Sequence, residues 1–376
     1  MKKRVKSHVR IIIAISIVVG LGIGLWMVFF GGPTVSQKKA HEILEQDCDY
    51  KYFYNQLDND EKIAYEKIFY TMVNFSKEVK IKVKDIEQLE TIFESVIYDH
   101  PELYYVSNQF KYRTQGQSMI FIPNYDYKEE EVKELMGQIE EKTKDIIDKA
   151  KKKEKQIDKA QLIYEYIIDR VEYQKNEGID QNMLSSLIDG KSVCAGYARA
   201  YQYVLNQVGV EAVYMVGTAK ESTTITNKGE GHAWLMIRID DDYYYSDPTW
   251  GDVTVDHNEH ICYGYFMMND QDMLANYQPE TSYEKTKNKG DLYYKNIGCY
   301  METYSETLVS KAIKRGLDNQ TRVAEIKCAN DNIYQVLKKN IQSTYLGYNL
   351  LRAQGCWNNM CTYSYNDELK LIELFY

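Results

Sequence analysis

At 376 residues the chain has room for two domains, and its net charge of −9 argues against nucleic acid or an anionic polymer as partner. An apolar share of 44% is ordinary for a globular protein. The 35 tyrosines could stack on sugars, but tyrosine is also a common strand and core residue, so their number does not identify a carbohydrate binder.

The N-terminal flank, residues 1–10, carries Lys2, Lys3, Arg4, Lys6 and Arg10 and no acid. Residues 11–30 follow without a charge, with Ser16 as the one polar side chain. A helix of that length covers a bilayer core of about 30 Å. Basic residues on its N-terminal side keep that end in the cytoplasm, which puts the rest of the chain outside as a single-pass protein. A cleaved signal peptide is the competing reading. The run is longer than such a peptide needs, and Phe29-Phe-Gly-Gly-Pro-Thr34 offers no cleavage site of small residues. Gly20 and Gly24 form a small-residue pair that can bring two helices together, a weak signal.

Residues 31–36 read as a stalk, and 37–155 as a mainly helical region. Helical spacing runs from Gln37 to about Lys80, with Asp58 and Glu61 placed as a capping box. A second helix spans Asp85 to Asp99, its apolar face Ile86, Leu89, Ile92, Phe93, Val96 and Ile97, and Pro101 ends it. Tyr104–Val106 and Met119–Pro123 read as extended. From Lys128 to Val171 the periodicity is helical again, with a break at Lys151–Lys155. Leu162, Ile163, Tyr166, Ile167 and Ile168 face the core.

Three segments then carry residues suited to chemistry. Cys194 stands in Gly190-Lys-Ser-Val-Cys-Ala-Gly-Tyr-Ala-Arg199, where a helix begins that continues to Gln207 and is closed by Gly209. After a strand over Glu211–Ala219 and a polar loop, His232 opens a strand in Gly231-His-Ala-Trp-Leu-Met-Ile237. Asp247 ends the next strand, in Ser246-Asp-Pro-Thr-Trp-Gly-Asp252, and the two strands read as a hairpin turning at Asp240-Asp-Asp242. The amides and dipole of a helix N-terminus favour negative charge, the form in which a thiol attacks. The same amides can donate to an oxyanion, and Ala195 and Gly196 keep that place open. An imidazole supplies the base, and a carboxylate fixes its tautomer. Each residue alone has an ordinary role: a buried thiol, a surface histidine, a turn-forming aspartate. Together, in this order of helix start, strand and strand, they point to catalysis. Whether His232 and Asp247 face the same side depends on the turn length.

These three motifs, over about residues 160–252, resemble the transglutaminase-like superfamily, in particular its bacterial membrane-anchored members. Asp99-His-Pro-Glu-Leu-Tyr-Tyr-Val106 and Tyr265-Phe-Met-Met-Asn-Asp270 also look familiar beside it. The resemblance implies an α+β fold in which the cysteine-bearing helix packs on an antiparallel sheet, as in papain. It places the catalytic core at 156–285, with an α+β extension at 286–376. It assigns Cys194, His232 and Asp247 as the triad. It gives no second oxyanion donor; Tyr173 and Trp250 are the candidates weighed, and packing is the ordinary role of both. It implies acyl transfer at amide bonds of protein or peptide substrates, as peptidase, amidase or transglutaminase, cell-wall peptides included. The alternative is a non-catalytic surface adaptor that keeps the fold.

No cofactor is expected. Asp256-His-Asn-Glu-His260-Ile-Cys262 gathers two histidines and a cysteine at a spacing that matches no standard zinc signature, so no metal is expected either. Besides Cys194 there are six cysteines, Cys48, Cys262, Cys299, Cys328, Cys356 and Cys361; no C-x-x-C pair occurs, and the sequence does not choose among their pairings.

Overall fold

The computed structural model describes residues 35–376 apart from 48–49, 176–180, 220–230, 256–257, 288–290 and 357–359. The basic flank, the apolar run with Gly20 and Gly24, the stalk up to residue 34, Cys48, the polar loop at 220–230 and the Asp256–His257 pair lie outside those residues. Among the described residues no helix is long and apolar enough to cross a membrane.

The chain divides into two compact units of mixed α+β structure. The first holds residues up to Glu154 and Asp169–Met215; the second holds Lys155–Ile168 and Val216–Tyr376. Two stretches of sequence therefore leave one unit and return to it.

In the first unit the helical stretch that begins at Gln37 is three helices, Gln37–Asp47, Tyr52–Gln56 and Asn59–Val73. Asp58 accepts from the Glu61 amide while Glu61 accepts from the Asp58 amide, the capping box read from sequence, worth about 1 kcal/mol. Helical structure does not reach Lys80. The chain turns at Phe75, which has φ of +49°, and Val79–Ile81 forms a strand on Phe121–Met119. The alternation of Val79 and Ile81 about Lys80 fits a half-buried strand, and the partner strand overrides the helical reading. Ile86–Asp99 is a helix capped by Asp85, with Leu89, Ile92, Phe93, Val96 and Ile97 buried. Tyr104 and Tyr105 sit in a turn rather than a strand, because Pro101 opens a single 3₁₀ turn first; Val106–Gln115 then pairs with Ser118–Tyr125. Buried Asp99 accepts from the amides of Phe53 and Tyr54 and from the Tyr65 hydroxyl, and so holds the start of the short Tyr52–Gln56 helix. The expected break at Lys151–Lys155 separates the helices Glu129–Lys151 and Gln156–Arg170.

The second unit has two four-stranded sheets. One runs in the order Tyr277–Pro279, Ala212–Ala219, Gly231–Ile239, Asp242–Ser246, the second of these strands entering the unit at Val216. Gln156–Arg170, which belongs to this unit as far as Ile168, buries Ile163, Tyr164, Ile167 and Ile168; Leu162 and Tyr166 are only partly covered. The other sheet runs Tyr300–Met301, Val323–Cys328, Leu371–Phe375, Thr362–Asn366, with helices Glu306–Asp318, Asp331–Thr344 and Leu346–Ala353 in the same region. The last strand is Leu371–Phe375, and Lys370, at φ of +55°, lies in the turn that brings Thr362–Asn366 onto it as a hairpin.

Asp291 caps the short helix Leu292–Asn296 by accepting from the Tyr294 amide. Burial pushes its carboxyl up to about 7, with Lys327 pulling against that and Asp272 adding to it. An unfolded aspartate ionises near ~3.9. Between roughly pH 4 and pH 7 the folded chain thus holds a proton that the unfolded chain releases, and stability falls as pH rises through that window. Asp291→Asn keeps the capping oxygen and removes the charge. The variant should match the parent in melts at pH 4 and exceed it at pH 8, by up to about 4 kcal/mol. A difference that does not grow with pH would count against this reading.

Candidate active site

Cys194 is the first residue of the helix Cys194–Gln207, with a free, half-buried thiol. Val193 before it is extended, and Gly209 after the helix takes the left-handed φ of +79° expected of a C-terminal cap. Gly196 is required by packing. A Cβ there would lie 1.9 Å from Ser192 Oγ, 2.6 Å from Ser185 Oγ and 2.8 Å from the Asn182 carbonyl. The helix is fastened at several points within its own unit. Tyr197 donates to the Val171 carbonyl at 2.5 Å. Arg199 donates to the Ile97 carbonyl and lies 3.9 Å over the Tyr214 ring. Gln202 donates to the carbonyls of Tyr98 and Ala212 at 2.8 and 3.1 Å. The helix is therefore held near its start by Val171 and further along by the last turn of Ile86–Asp99 and by the strand that follows.

His232 and Asp247 belong to the second unit, and the structure brings them together: Nε2 lies 2.6 Å from Asp247 Oδ2. The hairpin register explains why. A two-residue turn at Asp240–Asp241 sets Ile239 opposite Asp242 and Leu235 opposite Ser246. Continuing that count puts Trp234 level with Asp247, and His232 lies two residues along on the face of Trp234. A turn one residue longer would have put the pair on opposite faces.

Asp247 is completely buried, and its charge is met from four directions. Oδ2 accepts from His232 and from the Tyr277 hydroxyl at 2.8 Å; Oδ1 accepts from the amides of Thr249 and Trp250 at 2.9 and 3.2 Å. The last two bonds make Asp247 the cap of the short Pro248–Gly251 helix, the turn-forming role that Asp-Pro predicts, so its structural and electrostatic roles coincide. The imidazole is boxed by aromatic rings: Trp250 at 5.4 Å, Tyr277 at 5.8 Å and Trp234 at 6.2 Å between centroids. Trp250 serves as a packing residue here, and Tyr173 is 46% exposed, its ring 6.4 Å from that of Tyr197. The Tyr265–Asp270 segment supports the far side: the Tyr265 carbonyl accepts from the Asp247 amide at 2.9 Å, and Met268 bridges to Tyr245.

Sequence reading passed over Tyr277, Arg199 and Gln202. Tyr277 is 30 residues beyond Asp247 and stands in no recognisable motif; only the pairing of Tyr277–Pro279 with Gly217–Ala219 delivers it. Burial, then the Asp247 charge, push its hydroxyl well above 10, so it stays a donor. Tyr277→Phe removes one of the bonds to the buried carboxylate. We expect about a tenfold loss of turnover, with the pH profile displaced and the fold retained. A variant with unchanged turnover and pH profile would make Tyr277 a packing residue.

Elsewhere in the second unit, His260 Nε2 lies 3.0 Å from Glu373 Oε1, and Glu325 completes a cluster with them.

Residues 141–248 match the family described as the transglutaminase-like superfamily. The chain carries a transglutaminase-like domain. No curated protein matches it. Three of the similar solved structures follow. The first is a TGase, 12% identical, at a TM-score of 0.27, covering 48% of this chain and 53% of that one. The second is a proposed cysteine protease from Cytophaga hutchinsonii, 14% identical, at a TM-score of 0.26, covering 37% and 61%. The third is a proposed protease from Parabacteroides distasonis, 11% identical, at a TM-score of 0.22, covering 37% and 35%. The chain spans less than two thirds of each.

Proposed function

We propose that this protein is a surface-exposed cysteine acyl-transfer enzyme acting on amide bonds of protein or peptide substrates, with Cys194 as nucleophile, His232 as base and Asp247 as its orienting partner. The observation that carries the reading is the 2.6 Å bond from His232 to a fully buried Asp247, inside a transglutaminase-like domain. The position of Cys194 at the head of a well-fastened helix supports it. With Asp247 holding Nε2–H, Nδ1 is the basic nitrogen that takes the thiol proton. The thiolate adds to the amide carbonyl carbon, and the first-turn amides of the helix stabilise the oxyanion. The C–N bond breaks as His232 returns the proton to the leaving amine, and a thioester remains on Cys194. Water resolves it in hydrolysis and a second amine in crosslinking, each giving up a proton to His232 that restores the thiol. Residues 11–30 would anchor the chain with its N-terminus in the cytoplasm and the catalytic part outside.

Alkylation of the full-length chain, read by peptide mass spectrometry from acid to mildly basic pH, tests this without a known substrate. Cys194 should react faster than the comparably exposed Cys356 and Cys361 at slightly acidic pH, and His232→Ala should abolish that lead. If Cys194 labels no faster than those two at any pH, the thiol is not activated and the acyl-transfer reading falls.

A further inference from the structure

The C-terminal sheet contains an arrangement that the acyl-transfer chemistry does not use. Leu371–Phe375 is a buried strand of sequence Leu-Ile-Glu-Leu-Phe, and Glu373 interrupts it while remaining only 6% exposed. The neighbouring strand Val323–Cys328 carries two charges, Glu325 and Lys327; Lys327 is paired with Asp272 at 2.7 Å, and the register sets Glu325 directly opposite Glu373. Like charges directly opposite in an antiparallel pair repel, and burial strengthens the repulsion. Two glutamates placed there by both strands at once call for a positive partner.

His260 comes to the same place from a third strand, Asn258–Ile261. Its Nε2 is 3.0 Å from Glu373 Oε1, and one donor atom from each of His260, Glu325 and Glu373 lies within 4.8 Å of the others. Cys262, two residues beyond His260, is buried, 5% exposed. Glu325 Oε1 accepts from the Tyr263 amide and the Tyr294 hydroxyl, both at 3.1 Å, and the Phe375 ring stands edge-on to His260 at 5.2 Å. Such outer hydrogen bonds are what hold metal-ligating carboxylates in orientation.

We propose that His260, Glu325 and Glu373 form a zinc site, with a water in the fourth position. One imidazole, two carboxylates and a water are a ligand set zinc accepts in tetrahedral geometry, with Zn–N and Zn–O bonds of about 2.0–2.2 Å. Any proton held between the glutamates leaves on binding. The ion would neutralise the opposed carboxylates. It would also tie Asn258–Ile261 to the C-terminal sheet just beyond the Asp247–Gly251 turn, whose Gly251 carbonyl accepts from the Cys262 amide at 2.9 Å. Asp256–Cys262 has no zinc spacing because two of the three protein ligands come from strands more than 60 residues downstream.

The test is zinc chloride titrated into the full-length, untagged chain in mild detergent after chelation and dialysis, followed by calorimetry and elemental analysis. One zinc per chain is expected, with a rise of several degrees in Tm. His260→Ala and, separately, Glu373→Gln should each weaken binding on the order of 100-fold or more. Cobalt chloride in place of zinc should give the visible bands of a tetrahedral site, which His260→Ala removes. Circular dichroism of each metal-free variant distinguishes a lost site from a lost fold. No zinc bound by the parent chain, or equal binding by the folded His260→Ala variant, would overturn the site and leave a proton-sharing glutamate pair in its place.

Discussion

Asp247→Asn is expected to lower amide turnover by about 10³–10⁴-fold while moving Tm by no more than a few degrees. The substitution keeps the volume of the side chain and an oxygen that can accept from the Thr249 and Trp250 amides, so the Pro248–Gly251 turn survives. What changes is the atom facing His232 Nε2, 2.6 Å away: an acceptor becomes an NH₂ donor. Nε2 must then accept, and the imidazole carries its proton on Nδ1, where it can no longer take one from the thiol. The imidazolium formed during attack also loses its counter-charge. The measurement is kcat and KM on an amide substrate, beside a thermal melt of the same preparation. A loss smaller than tenfold with Tm unchanged would mean that Asp247 is only a turn cap. A large fall in Tm would leave the kinetic result uninformative, and Asp247→Glu would then separate charge from packing.

Trp234→Ala should be among the most destabilising single changes in the second unit, by about 3–5 kcal/mol. Trp234 is fully buried and stacks on Tyr277 with ring centroids 4.7 Å apart. The sheet is built around its size: a Cβ on Gly217 would meet Trp234 Cη2 at 2.9 Å and the Gln278 carbonyl at 2.2 Å, so only glycine fits beside it. Truncation leaves a cavity that the backbone of two paired strands cannot close. A fall in Tm on the order of 10 °C follows. Turnover should fall at temperatures where the variant is still folded, because Trp234 and Tyr277 both stack on the imidazole. Trp234→Phe, which refills most of the space, should recover the larger part of both losses. If Trp234→Ala melted within about 2 °C of the parent chain, the packing account would be wrong.

Much of this protein is legible in one dimension because it depends on local chemistry. The Asp58–Glu61 box, the Asp85-capped helix, the break at Lys151–Lys155, the Gly209 cap and the Asp240–Asp241 turn are each set by a few consecutive residues, and each stands where the sequence puts it. Cys194 at a helix start and His232 at a strand start follow from the same kind of signal. Local signals failed where a distant partner decided the outcome. Val79–Ile81 became a strand because Met119–Phe121 was there to pair with it.

The residue types at the candidate site were set by sequence; their geometry was not. That His232 and Asp247 share a face rests on the parity of a two-residue turn, and one residue more would have reversed it. Tyr277 on Asp247, Arg199 over Tyr214, and Glu325 opposite Glu373 join positions from 15 to 48 residues apart. No periodicity or motif encodes such pairs, because each arises from strand register and from the packing of elements that meet only when the chain has folded. The sequence by itself determined which groups this protein has for chemistry, while tertiary structure alone decided which of them hold a charge in common.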